Sequence, residues 1–271
     1  MRLFIAGLRK LIRRPATWIT FGVLAALMSL IYVAIGATAD RVANDPQGVA
    51  ALAALTFPRA YNSVLSFLLG LGGLFALIFG AAIAGSEWTW GTLKNAIARG
   101  ESRTRYVVAS FGSVGALLGL GLVLAFLVGV VAALIGATLA GVSTAGVGDA
   151  ATIGTLPEKL LRGWVGFLEQ GALGFTIATL ARSQLAGIGA GIGLYFAEQF
   201  STIFFPDVVK YLPFHVASAM VALPEGGGFG GGGGAAIARL EPNMAALAVV
   251  AWLIGAVVVS ALFTERAEIA G

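Results

Sequence analysis

The chain has 271 residues, of which 58% are hydrophobic and 11% charged, with no cysteine, one histidine and a formal charge of +4. Soluble domains carry roughly one-quarter charged residues, so this composition, with a mean hydropathy of +0.93, excludes a soluble globular protein and points to a polytopic membrane protein. Lack of cysteine excludes disulfides, a thiolate nucleophile and Cys-based metal sites, a lone His215 cannot build a histidine cluster, and the basic residues flank apolar runs rather than forming a nucleic-acid surface.

Residues 1–16 predict an interfacial helix. Phe4, Leu8, Leu11 and Ile12 recur at helical spacing, Arg2, Arg9, Lys10 and Arg13 occupy the other face, and Arg14 precedes the helix-breaking Pro15. Its basic face suits anionic lipid headgroups, although the same charges also act as a topology signal. Apolar runs follow near 17–39, 61–85, 107–139, 163–181, 184–205 and 243–263. Each is near or above the roughly 20 residues a helix needs to cross a bilayer. Segments of about ten residues with alternating polarity, as a β-barrel requires, are absent. The expected fold is therefore all-α, with six transmembrane helices. Ala37-Thr38-Ala39 imitates a signal-peptidase site, but the apolar run is longer than the usual 7–15 or so residues of a signal peptide, and an uncleaved first span is expected.

Eleven Lys and Arg residues fall on one side of these spans and six on the other, which places both termini and residues 86–106 in the cytoplasm. The stretch from Tyr106 to Gly148 has no charge, so the third span is either long and tilted or followed by an apolar outer segment. An outer loop at 206–242 contains a short apolar piece, Tyr211 to Leu223, that either lies on the surface or dips in as a re-entrant helix. A glycine tract at 226–234 follows and reads as a loop, since no strand precedes its Gly-x-Gly-x-x-Gly match. The pairs Gly115 with Gly119, Gly187 with Gly191 and Gly189 with Gly193 have the spacing of close helix packing within the bundle. Trp18, Trp164 and Tyr61 near span ends read as interfacial belt residues.

One polar segment, Ser86 to Tyr106, interrupts this lipid-soluble chain. Glu87, Trp88 and Trp90 read as a carboxylate at a helix N-terminus beside aromatic anchors, Thr92 to Arg99 as a short helix stopped by Gly100, and Ser102 as the cap of the next helix, whose first turn holds Arg103 and Arg105.

The order Glu87, Gly91, Thr92, Lys94, Gly100, Ser102, Arg103 resembles the signature of permease subunits of ATP-binding cassette exporters of the second permease class. The C-terminal stretch from Phe263 to Ile269, with its Phe263, Arg266 and acidic residues, resembles that family's Phe, Arg and acidic ending with different spacing. The resemblance implies that 86–99 is a coupling helix docking on a separate ATPase, through Glu87, Trp88, Trp90, Gly91, Thr92, Lys94, Arg99, Gly100, Ser102 and Arg103, flanked by Arg2, Arg9, Lys10, Arg13 and Arg14. It also implies two ATPase subunits that bind the ATP and Mg, a second permease copy or homologue, and a prokaryotic cytoplasmic membrane. No Gly-x-x-x-x-Gly-Lys-Ser/Thr phosphate cradle exists in the sequence, so the chain is expected to bind no nucleotide or other cofactor and not to be an enzyme by itself.

Glu169-Gln170 and Glu198-Gln199 fall inside the fourth and fifth apolar runs at equal depth, roughly 10 Å below the outer surface at 1.5 Å per residue. A membrane-embedded acid needs a partner, a proton or water, so these four residues either line a substrate path that favours a cationic solute or pair structurally, with Arg162 as one partner. His215 reads as an interfacial or loop residue because no Ser and acid motif accompanies it. Two other functions stand beside the exporter: an ion- or proton-coupled carrier using Glu169 and Glu198, and an intramembrane enzyme or assembly protein.

Overall fold

The computed structural model describes residues 2–42, 45–223 and 239–267; the glycine tract, Ile269 and the side chain of Arg2 lie outside them. All described secondary structure is helical. Helix α1 (Arg2–Ile12) turns at Arg13 and Arg14 into α2 (Pro15–Ala37), whose first position is the proline. This is the favoured site for proline in a helix, because its missing N–H has no partner to lose there. Two short pieces follow, α3 (Ala39–Val42) and α4 (Pro46–Ala53), the second capped by Asp45. The next crossing is continuous from α5 (Arg59–Phe67) through a wide π-turn at Leu68–Gly72 into α6 (Gly73–Thr89). Then come α7 (Thr92–Ala98), α8 (Arg103–Leu139), α9 (Ala150–Ala181), α10 (Gln184–Phe204), α11 (Pro206–Val209), α12 (Pro213–Met220) and α13 (Pro242–Arg266).

Four of these are long and apolar enough to cross a membrane: α2 with 23 residues, α5 to α6 with 31, α8 with 37 and α13 with 25. The protein is thus all-α with transmembrane-helix character. Helices α9 and α10, with 32 and 21 residues, are also long enough at 1.5 Å per residue, but each carries an internal Glu-Gln pair that lowers its apolarity. Helix α8 is the long alternative foreseen for the third run, unbroken to Leu139. Helix α9 starts well before the expected 163. Asp149 caps it by accepting from the Thr152 N–H at 2.9 Å, and Glu158 and Arg162 pair one turn apart at 2.8 Å, so the polar stretch before the apolar run is helical too.

Glycines let the bundle close. A Cβ on Gly80 would sit 2.0 Å from the Gly171 carbonyl oxygen, and one on Gly174 1.9 Å from that of Leu77, so α6 and α9 touch backbone to backbone. Gly36 and Gly136 do the same for α2 and α8. Gly115 and Gly119 receive Leu168 and Trp164 of α9, and Gly187 and Gly191 receive Ala178 and Leu77. Gly189 and Gly193 differ: among the described residues nothing lies within 4 Å of a Cβ built on either, so their spacing serves no packing between the described helices. Met28, Tyr32, Leu55, Leu65, Leu68, Leu118 and Leu122 fill the main core between α2, α4 to α6 and α8. Outside it, Leu30, Leu127, Val131, Leu185, Ile203, Phe204, Leu247 and Ile254 are exposed, an apolar exterior that suits lipid rather than water.

Two belt expectations fail. Tyr61 is buried with its hydroxyl donating to the Val147 carbonyl at 2.6 Å, and Trp164 packs inward with its indole N–H on the Gly115 carbonyl at 2.8 Å. Both have a polar tip that finds a backbone acceptor inside the bundle. Trp18 is exposed, as expected. Helix α12 is buried on most of its surface, with Ala217 against Gly166 of α9, so the short piece after Tyr211 dips into the bundle rather than lying on it.

Candidate functional site

Two polar clusters interrupt the apolar interior. The first lies at the basic end, where α1, α6, α7, α8 and α13 meet. Helix α6 runs on to Thr89, so residues 86–89 belong to the crossing helix and only Thr92–Ala98 forms the short helix expected over 86–99. The break falls at Gly91, whose φ of +65° is the left-handed conformation that glycine adopts without strain. Glu87 therefore sits in the last turn of a helix, not at an N-terminus. A negative charge opposes the helix dipole there and needs other compensation.

That compensation comes from three other elements. The Lys10 ammonium of α1 lies 2.6 Å from Glu87 Oε1. The hydroxyls of Thr92 and Tyr106 both donate to Oε2. Glu87 is 5% exposed, and both of its carboxylate oxygens are bonded. Next to it the Arg14 guanidinium donates to Ser86 Oγ at 2.9 Å and stacks 4.7 Å from the Trp90 ring. Partial burial holds the Arg14 pKa below its usual value, opposed by the charge of Glu87.

The interfacial reading of α1 changes accordingly. Leu11 is buried in the main core, Phe4 faces Gly112 of α8, and the Ser113 hydroxyl of α8 donates to the Phe4 carbonyl at 3.0 Å. Lys10 and Arg14 turn into the protein, whereas Arg9 and Arg13 are exposed.

Two further ties gather the other chain segments of this end. Arg182 adopts φ +50° between α9 and α10 and lies 5.3 Å from both the Trp88 and Phe263 rings. Arg103 donates to the carbonyls of Thr264, Glu265 and Ala267 at 3.3, 2.8 and 2.8 Å, satisfying the free C-terminal acceptors of α13. Ser102 caps α8 through the Arg105 N–H at 3.4 Å, as its position in the sequence predicts. Helix α7 buries Leu93 and exposes Lys94, Asn95, Ala98 and Arg99, and Gly100 follows with φ +87°. The expected coupling residues thus divide: Glu87, Trp88, Trp90, Thr92 and Arg103 hold this end together, while Lys94 and Arg99 face outward.

The second cluster lies where α9, α10 and α12 meet. Glu169 is twelve residues before the end of α9 and Glu198 fourteen after the start of α10, about 18 and 21 Å from the basic end. Glu169 lies three residues after Gly166, which packs on Ala217 of α12 two residues beyond His215, so α12 borders the surroundings of both acids. Glu169 and Gln170 are 0% exposed and Glu198 2%. Glu198 Oε1 accepts from the His215 backbone N–H at 2.8 Å and contacts His215 Nδ1 at 2.7 Å. Glu198 Oε2, both oxygens of Glu169 and both polar atoms of the Gln170 amide have no hydrogen-bond partner among the described residues. Gln170 lies against Gly73, directly after the π-turn, where any Cβ would collide with its Oε1 at 2.3 Å. Gln199 does not join them and is only partly buried.

The partner expected from the sequence is elsewhere. Arg162 pairs with Glu158 and donates to the Met220 carbonyl at 3.0 Å. His215 is a member of the buried cluster rather than a surface residue. Its only sequence signal was the apolar piece that carries it, which gave no hint that α12 folds back to the level of Glu198. Tyr106 and Arg182 were also missed as site residues, having been read as a span start and a topology charge. Among the described residues no three acids or histidines converge as a metal site would require. Comparison of the sequence with protein-family models and with curated proteins finds no match, so the family resemblance rests on residues 86–106 and the general plan of the chain.

Proposed function

We propose that the chain is the permease subunit of an ATP-binding cassette exporter, with six transmembrane helices, both termini in the cytoplasm, and two separate ATPases bound at its basic end. The observation that carries this reading is α7. One side of this short helix is fixed to three other helices through the Glu87 knot, and the other side presents Lys94, Asn95 and Arg99. A lever built in this way passes a push from a docked subunit into α6 and α8 together. Nucleotide and Mg belong to the partner. Helices α9 and α10 supply the remaining two spans, and the open Gly189 and Gly193 face of α10 offers a close approach to a helix of a second copy. The solute is hydrophobic or amphipathic, moving between permease copies.

The cysteine-free sequence makes the test direct. In Lys94→Cys and Arg99→Cys chains expressed in intact cells, a membrane-impermeant maleimide is expected to label neither position until the membrane is opened, and a co-expressed ATPase is expected to protect both. Labelling in intact cells places α7 outside and overturns the reading. A second reading, a proton- or ion-coupled carrier, is favoured by the partnerless carboxylate oxygens of Glu169 and Glu198. Transport that persists without any ATPase and collapses with the proton gradient would select it.

A further inference from the structure

We infer that Glu169 and Glu198, with the Gln170 amide and the Tyr195 and Phe214 rings, form an intramembrane binding site for one monovalent organic cation, a lipophilic amine or its quaternary counterpart. The inference rests on the transport reading and names its substrate class.

Charge balance is the first argument. Glu198 is bonded to His215 of α12 and Glu169 lies one turn along α9 from Gly166, which packs on Ala217 of the same helix, so both buried carboxyls border α12; the one basic group bonded to either of them among the described residues is the His215 imidazole. Ionised together, the two carboxyls carry more charge than even a protonated His215 can balance. An uncompensated charge at this depth costs at least a few kcal/mol by order of magnitude, so the second carboxyl is answered either by a proton or by a bound positive group that takes the proton's place.

Unused hydrogen-bonding capacity is the second. Five polar atoms on Glu169, Gln170 and Glu198 are buried and without partners, although buried polar groups are ordinarily paired. Packing alone does not explain an acid here, since an apolar residue would fill the same space at no such cost.

The third argument selects the kind of cation. Tyr195 of α10 and Phe214 of α12 meet edge to face with centroids 4.9 Å apart, and each ring belongs to a helix that supplies a member of the Glu198–His215 pair. Tyr195 stands one turn before Glu198 on the same side of α10. Carboxylates bordered by aromatic rings suit a large, weakly hydrated cation, which gains from both the charge and the ring faces. A divalent metal is not served, because no three metal-ligating groups converge among the described residues.

His215 is bonded to Glu198 from α12, and α12 meets α9 through Gly166 and Ala217. Entry of the cation requires α12 to release Glu198, so His215 acts as a button that the ligand replaces.

The test uses the full chain in lipid nanodiscs without ATPase, with ethidium as the probe and fluorescence anisotropy as the readout. Wild-type protein is expected to bind ethidium saturably, and Glu169→Gln and Glu198→Gln to weaken binding by about tenfold or more. Glu158→Gln, on an exposed acid already paired to Arg162, is the control and is expected to bind as wild type. Glu169→Gln breaks no hydrogen bond, so it carries the test even if Glu198→Gln, deprived of its His215 contact, fails to fold. Equal affinity in wild type and Glu169→Gln, or no saturable binding by the wild type, overturns the inference. Because no ATPase is present, such a failure is separate from failure of the exporter reading, which the labelling of α7 decides.

Discussion

Glu87 and Glu169 are both buried acids on neighbouring helices, and they are treated in opposite ways. Glu87 has a cation, two hydroxyls and a place in a knot of four helices; neither oxygen of Glu169 has a partner among the described residues. A fully answered charge locks its neighbours into one arrangement, since every alternative leaves a group unpaired. An unanswered one imposes no such arrangement and leaves its bonding capacity open. The contrast separates a cross-linked end of the bundle from a level whose acids have bonds still to make.

Four substitutions sharpen or break this contrast. The largest effect is expected from Glu87→Leu, which strands Lys10, Thr92 and Tyr106. Lys10 is one-third exposed and partly recovers water, so the loss is about 2–4 kcal/mol, read as a fall in thermal unfolding temperature in detergent. Glu169→Met should move the other way, raising stability by about 1–3 kcal/mol because it removes a buried group with no partner. If both substitutions destabilise equally, the distinction between the two acids is lost. Arg103→Ala removes three donations to the end of α13 and is expected to lose about 1–2 kcal/mol, with faster proteolysis at the C-terminal end as a second readout. The smallest effect concerns Arg182. Both Arg182→Ala and Arg182→Gly lose the contact with Trp88 and Phe263, but glycine relieves the left-handed backbone and should be the more stable of the two by about 1 kcal/mol.

Much of the fold was legible because apolar runs and caps are local signals. The runs at 17–39, 184–205 and 243–263 match α2, α10 and α13 to within a few residues, and Ser102 caps α8 where it was expected. Local signals failed where a non-local contact decides. The end of α6 was misplaced because Glu87 is tolerated in its last turn only through Lys10, which lies 77 residues earlier. Tyr61 and Trp164 carry the same amphipathic chemistry as belt residues, and only tertiary acceptors turn them inward. The acids of the second cluster were visible, as polar residues in an apolar run always are. Their geometry was not, because it depends on α12 returning to meet α10.

The π-turn at Leu68–Gly72 carries a mechanical consequence. A π-turn holds one residue more than the α-helical turn it replaces, and that residue fixes how α6 is rotated about its axis relative to α5. Tightening it to ordinary α geometry would swivel everything beyond it by about 100°, the angle one residue subtends. Such a swivel would withdraw Gly73 from the Gln170 amide and wind Glu87 away from Lys10 in a single stroke. One spare residue would then gear the Gln170 level of the bundle to its Glu87 end, like a clutch set into the shaft itself.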